Sequence, residues 1–174
     1  MTDPSHAVIR GESTIHDLHI NIKKTHPDAI IPAYANPGDA CFDLHCIHGA
    51  LMGPNENWSP EAKGRAVEFR TGLAFEIPRG FAMLIYSRSG HGFNHGVRLS
   101  NCVGVIDSGY RGEVKVKLHI EVDGPDRHYG VMAGDRIAQA MILPVPMVAA
   151  FRVVDALSET ERGEGGFGSS GVSA

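Results

Sequence analysis

Val67-Glu68-Phe69-Arg70-Thr71-Gly72-Leu73-Ala74-Phe75-Glu76-Ile77 sets Val67, Phe69, Thr71, Leu73, Phe75 and Ile77 against Glu68, Arg70, Gly72, Ala74 and Glu76. Period-two alternation sustained over such a run describes a β-strand with one face in a core and the other in water. A second run puts Val114, Val116, Leu118, Ile120 and Val122 opposite Lys115, Lys117, His119 and Glu121, and Leu18, Ile20 and Ile22 point to a third near the start. The apolar segments 81–86, 137–143 and 148–154 are short and bounded by Gly, Pro or Asp, which predicts buried strands. No apolar spacing of helical period persists over several turns, and 21 Gly with 10 Pro punctuate the chain. The expected fold is all-β, a double-sheet jelly roll or barrel, because a single open sheet of this size leaves edges to aggregate.

A length of 174 residues with 43% hydrophobic content suits one domain around one core. That domain is expected over 1–155, followed by a mobile glycine-rich arm over 156–174 that has almost no core-forming residues. Segment 49–64, with Pro54 and Pro60, reads as a surface loop. The net charge of -4, with Lys and Arg dispersed, leaves no electrostatic footprint for a nucleic acid. No apolar run approaches the roughly 20 residues that span a bilayer, and Met1-Thr2-Asp3-Pro4 lacks the basic and apolar regions of a signal peptide. The expectation is a cytoplasmic protein with no membrane partner. Cys41, Cys46 and Cys102 are odd in number and lack paired spacings, so reduced thiols are the simpler reading.

Three segments carry more glycine and charge than packing requires. Tyr86-Ser87-Arg88-Ser89-Gly90-His91-Gly92 ends an apolar strand; its glycines free N–H groups to surround an anion, and Arg88 and Ser89 add donors suited to phosphate oxygens. An ordinary polar loop accounts for the same residues. The segment from Asn101 to Glu113 reads as a β-hairpin with Asp107 and Tyr110 at its turn. A carboxylate at the mouth of a buried strand can polarise a water, although Asp before Ser-Gly also serves as a turn residue bonded to its own backbone. In the arm, Gly163, Gly165 and Gly168 match G-x-G-x-x-G but follow no strand and open no helix, so the dinucleotide reading fails. What remains is a strip with Arg162, Phe167, Ser169 and Ser170, able to fold over a ligand or to stay a disordered tail. Cys41, His45, Cys46 and His48 have metal-ligand composition, but on a strand Cys41 and His45 share one face and Cys46 and His48 the other. They do not converge on one ion.

Taken in order, five segments resemble the motifs of the homotrimeric dUTPase family, over nearly the whole chain from about residue 30 to 171. They are Ala40-Cys41-Phe42-Asp43-Leu44; Ser87-Arg88-Ser89-Gly90; Gly104-Val105-Ile106-Asp107-Ser108-Gly109-Tyr110-Arg111-Gly112; Gly134-Asp135-Arg136-Ile137-Ala138-Gln139; and Arg162-Gly163-Glu164-Gly165-Gly166-Phe167-Gly168-Ser169-Ser170-Gly171. The resemblance implies a jelly-roll homotrimer with active sites shared between subunits, hydrolysing dUTP to dUMP and pyrophosphate. It implies that Asp107 activates the water attacking the α-phosphorus and that Tyr110 packs under the deoxyribose to reject a 2′-hydroxyl. Asn101 and the backbone through Gly104, Val105 and Ile106 would read uracil, with Lys115 contributing through its main chain. Arg88, Ser89, Gly90 and Gln139 would bind phosphates, and Asp43 would reach a phosphate-bound Mg²⁺ through water. From a neighbouring chain the tail would bring Phe167 over the base and Arg162 and Ser169 to the β- and γ-phosphates, with Gly168 also among the substrate-binding residues. The chain departs from the family pattern at Cys41 (commonly Gly), Ser87 (Pro), Gly109 (an acid) and Ile120 (Asn).

Two other functions fit the same motifs. A dCTP deaminase of this fold needs an acid on the strand leaving the third motif, where Lys115 and Lys117 stand. A dUTP-sensing regulatory protein would use the extension before residue 30 and the loop 49–64 for its partner.

Overall fold

The computed structural model describes residues 18–52, 66–121 and 129–166. The extension before residue 18, most of the segment 49–64, residues 122–128 and the tail residues Phe167, Gly168 and Ser169 lie outside these described residues.

The run that decides the fold forms the central strand β4 (Ala66–Glu76), which pairs antiparallel with β1 (Asn21–Lys24) on one side and β8 (Glu113–Ile120) on the other. With β6 (Val97–Leu99) beyond β8, they make one sheet in the order β1-β4-β8-β6. A second antiparallel sheet has the order β2-β10-β5-β7, from β2 (Phe42–His45), β5 (Phe81–Tyr86), β7 (Gly104–Ile106) and β10 (Arg136–Pro144). Phe69, Leu73, Val114 and Leu118 of the first sheet and Leu44, Met83 and Ile137 of the second are at most 1% exposed, forming the jelly-roll core between the sheets. Each such side chain contributes on the order of 1.5–3 kcal/mol by leaving water. Among the described residues no helix is long and apolar enough to cross a membrane.

Several local expectations are corrected. Residues 71–75 are all buried, so Gly72 and Ala74 do not share a wet face with Glu68 and Arg70. The cause is a bulge between Arg70 and Ala74, with the chain around residues 25–47 folded over it. Thr25 N–H donates to the Gly72 carbonyl at 2.8 Å and Ile47 N–H to that of Arg70 at 3.0 Å. Residues 50–52 are not loop but β3 (Ala50–Met52), paired with β9 (Tyr129–Val131). Segment 148–154 is no strand: Phe151 is 91% and Val153 102% exposed, and none of the described strands pairs with it. The proposed hairpin is also not one. β7 pairs with β5 and β8 with β4 and β6, so the Asp107 turn crosses from one sheet to the other. A short helix, α1 (Ser89–His95), follows β5; it buries none of its residues, which is why no apolar periodicity announces it.

Gly72 has φ +68°, and a Cβ there would lie 2.9 Å from Ala29 Cβ and 3.0 Å from both His26 Cβ and Ile47 Cγ2. Gly72→Ala is therefore expected to destabilise the fold by about 2–4 kcal/mol through backbone strain and overpacking. Denaturant unfolding at fixed protein concentration checks this, and an unchanged midpoint would contradict the packing described.

Candidate functional site

Arg88 leaves β5 in extended backbone and precedes α1, so its side chain returns across the sheet face. Its Nε donates to Asp43 Oδ1 at 2.9 Å, while Arg136 Nη1 donates to Asp43 Oδ2 at 3.2 Å. Two guanidiniums thus share one carboxylate whose side chain is 15% exposed, leaving an excess of positive charge suited to a polyanion. Gln139 stands opposite Asp43 across the β2–β10 pair, and its Nε2 donates to the Ser87 carbonyl at 3.0 Å. The Ser87 hydroxyl accepts the Leu99 N–H at 2.9 Å, tying this loop to the edge of β6. Ser89 and Gly90 open α1 on the surface, and a Cβ on Gly90 would meet nothing within 4 Å, so the chain's own packing does not demand glycine there. Burial pushes the His45 imidazole below its ordinary pKa; Asp43 opposes this and the two arginines add to it.

Arg136 carries no role from sequence although it belongs to the same motif as Gln139. Only the long-range pairing of β2 with β10 reveals that it meets Asp43.

Asn101, Gly104 and Lys115 line one cavity of about 330 Å³. Glu68 lines it too, and its carboxylate pairs with Lys115 Nζ at 3.0 Å, an acid the sequence alone did not bring to this place. Val105 and Ile106 continue β7, with Val105 59% exposed and Ile106 packed against the core.

Asp107 and Tyr110 span a tight turn closed by the Tyr110 N–H on the Asp107 carbonyl at 3.1 Å. Arg111 Nη1 caps the same turn, donating to the carbonyls of Ser108 at 2.7 Å and Tyr110 at 2.9 Å. Asp107 itself is exposed, and among the described residues no ion pair or side-chain hydrogen bond occupies its carboxylate. Arg162 lies apart, its Nε bonded to the Gly165 carbonyl at 2.8 Å within its own exposed turn.

Three groups therefore form within the chain: the Arg88–Asp43–Arg136–Gln139 cluster, the Asn101–Gly104–Lys115 cavity and the Asp107–Tyr110 turn. The register pairs Met83 with Ile106, which puts Asp107 beside the start of β5 and Arg88 beyond its end. At ~3.3 Å per residue these two groups are roughly 20 Å apart along the strand.

Residues 27–171 match the family model described as dUTPase. A deoxyuridine 5′-triphosphate nucleotidohydrolase of Helicobacter hepaticus is 43% identical, over 89% of this chain and 90% of the relative. One from Nautilia profundicola is 42% identical, over 88% and 99%. The solved dUTPase of Staphylococcus bacteriophage 80alpha with dUPNHPP superposes with a TM-score of 0.74 at 26% identity, covering 88% of this chain and 99% of that one. A match that runs through both sheets and all three residue groups, together with relatives above 40% identity over most of their length, makes this chain a member of the dUTPase family.

Proposed function

We propose that the protein hydrolyses dUTP to dUMP and pyrophosphate, with Asp107 as the general base. The observation that carries this reading is the exposed carboxylate of Asp107, unpaired among the described residues, on a turn held by the Tyr110 N–H and by Arg111, in contrast to the doubly paired Asp43. A base must be unencumbered yet held in place. Asp107 takes a proton from water as its oxygen bonds to the α-phosphorus, and the bond to the bridging oxygen of the leaving pyrophosphate breaks in line. Such a displacement depends on positioning and charge neutralisation more than on covalent help.

The phosphates lie on Arg88, Ser89, Gly90 and Gln139, with Arg136 completing the cationic patch. The uracil occupies the cavity of Asn101, Gly104 and Lys115, against the backbone of Val105 and Ile106, and Tyr110 lies under the sugar. Because Asp107 and Arg88 sit at opposite ends of β5, base and phosphate anchors meet only where a second copy brings its own Arg88. A homotrimer with shared sites meets that need. The apolar side chains beyond β10 support it: Met147, Phe151, Val153 and Leu157 are 73% to 102% exposed in the single chain, a hydrophobic strip suited to another subunit. The 1–155 domain would then offer its 156–174 arm to a neighbour, with Arg162, Phe167, Gly168 and Ser169 closing the site against water.

Among the described residues no group of three or more His, Cys, Asp and Glu side chains could hold a metal ion. Asp43 would hold, through water, a Mg²⁺ brought in by the substrate phosphates. When bound, it neutralises phosphate charge.

Incubation with dUTP and with dCTP tests the reaction. Pyrophosphate from dUTP, without ammonia from dCTP, is the expected result; ammonia from dCTP with no pyrophosphate from dUTP would make the protein a deaminase.

A further inference from the structure

The bulge of β4 opposes the first residues of β8, so the ladder that should anchor the end of the Asp107–Tyr110 turn is interrupted there. Backbone groups left over at a bulge need other partners. Two side chains supply them. Thr71 Oγ1 donates to the Val114 carbonyl at 2.7 Å and accepts the Leu73 N–H at 3.2 Å. Glu113 Oε1 accepts the Gly72 N–H at 2.9 Å, and the same carboxylate receives Arg70, with Nη2 on Oε2 at 2.7 Å and Nε 3.1 Å from both oxygens. The Glu113 side chain is 12% exposed. Burial alone would raise its pKa, but the hydrogen bonds from Arg70 and the Gly72 N–H bring it below the usual carboxylate range, so it stays charged.

The other end of Glu113 holds Tyr110. The tyrosine hydroxyl donates to the Glu113 main-chain carbonyl at 3.1 Å. Its ring lies over Gly112 so closely that a Cβ there would be 2.3 Å from the hydroxyl oxygen and 2.5 Å from Cζ. The ring's height above the turn therefore follows the Glu113 carbonyl, and that carbonyl is tied to β4 by the residue's own carboxylate.

We propose that Glu113, clamped by Arg70, is a positioning residue for sugar selection: it fixes the carbonyl that holds Tyr110, and so sets the clearance that rejects a 2′-hydroxyl. This rests on the reading of Tyr110 as the residue under the pentose. Glu113 touches no substrate and acts only through Tyr110.

The test compares kcat/KM for dUTP and for UTP in the full-length protein and in Glu113→Ala, Glu113→Gln, Tyr110→Ala and the double variant. Glu113→Ala is expected to lower the dUTP:UTP ratio at least about tenfold, the scale on which a pocket contact discriminates one substituent. Glu113→Gln keeps an acceptor for the Gly72 N–H but gives up the ion pair with Arg70, so it should restore the ratio only in part. Adding Glu113→Ala to Tyr110→Ala should change the ratio no further, since both act through one ring. An equal loss on both nucleotides, leaving the ratio intact in Glu113→Ala while Tyr110→Ala lowers it, would overturn the proposal and mark Glu113 as a purely structural brace. A ratio indifferent to Tyr110→Ala would overturn the reading of Tyr110 and this inference with it. Should Glu113→Ala fail to fold, Arg70→Gln loosens the same clamp from an exposed position, and an unchanged ratio there refutes the proposal.

Discussion

Asp107→Asn is expected to lower kcat for dUTP by about 10²- to 10⁴-fold, the range that a general base contributes. The substitution preserves shape, and the features that hold the turn are independent of the carboxylate: the Tyr110 N–H bonds the Asp107 main-chain oxygen, and Arg111 caps the carbonyls of Ser108 and Tyr110. Nucleotide binding and thermal stability should therefore change little. Stopped-flow or steady-state pyrophosphate release measures the rate, and titration with a non-hydrolysable dUTP analogue measures the binding. A variant that keeps more than a tenth of the wild-type kcat would remove Asp107 from the role of base. Loss of analogue binding in parallel with kcat would assign it to substrate anchoring instead.

Mixing subunits is expected to produce the second large effect. Asp107→Asn removes the proposed base, and Arg88→Ala removes the first cation of the proposed phosphate patch; in the latter Asp43 keeps Arg136 as a partner. Each variant by itself should be nearly inactive. If a site takes Asp107 from one chain and Arg88 from another, random reassociation at equal amounts leaves about a quarter of the sites with both intact groups. Co-refolded mixtures should then regain about a quarter of wild-type activity, far above the sum of the parents. An activity equal to that sum, in mixtures shown by mass spectrometry to contain hybrid trimers, would put both groups in one chain and contradict the roughly 20 Å separation along β5.

Alternation from Val67 to Ile77 is a local signal, and it correctly announces a long half-buried strand. It cannot announce that Gly72 turns inward, because that depends on Ala29, His26 and Ile47, which arrive from a distant part of the chain. Phe81–Tyr86 and Arg136–Pro144 behave likewise: their apolar runs were legible as strands, but nothing local says that they lie side by side. The apolar run at 148–154 carried the same kind of signal and formed no strand, since apolar character marks a surface that seeks cover without naming the chain that covers it.

The sequence by itself determined the all-β class, the main strands, the order of the glycine-rich motifs and the residue types able to hold a triphosphate. Tertiary structure alone decided which groups meet. Asp43 and Arg88 are 45 residues apart, Asp43 and Arg136 are 93 apart, and Arg70 and Glu113 are 43 apart, yet each pair is in contact. Periodicity and turn chemistry act over a few neighbouring residues, whereas register between strands is chosen by the burial of the whole core. That is why Asp107 and Arg88 are readable only as candidates within their own segments, whereas their separation to opposite ends of β5 is a property of the register.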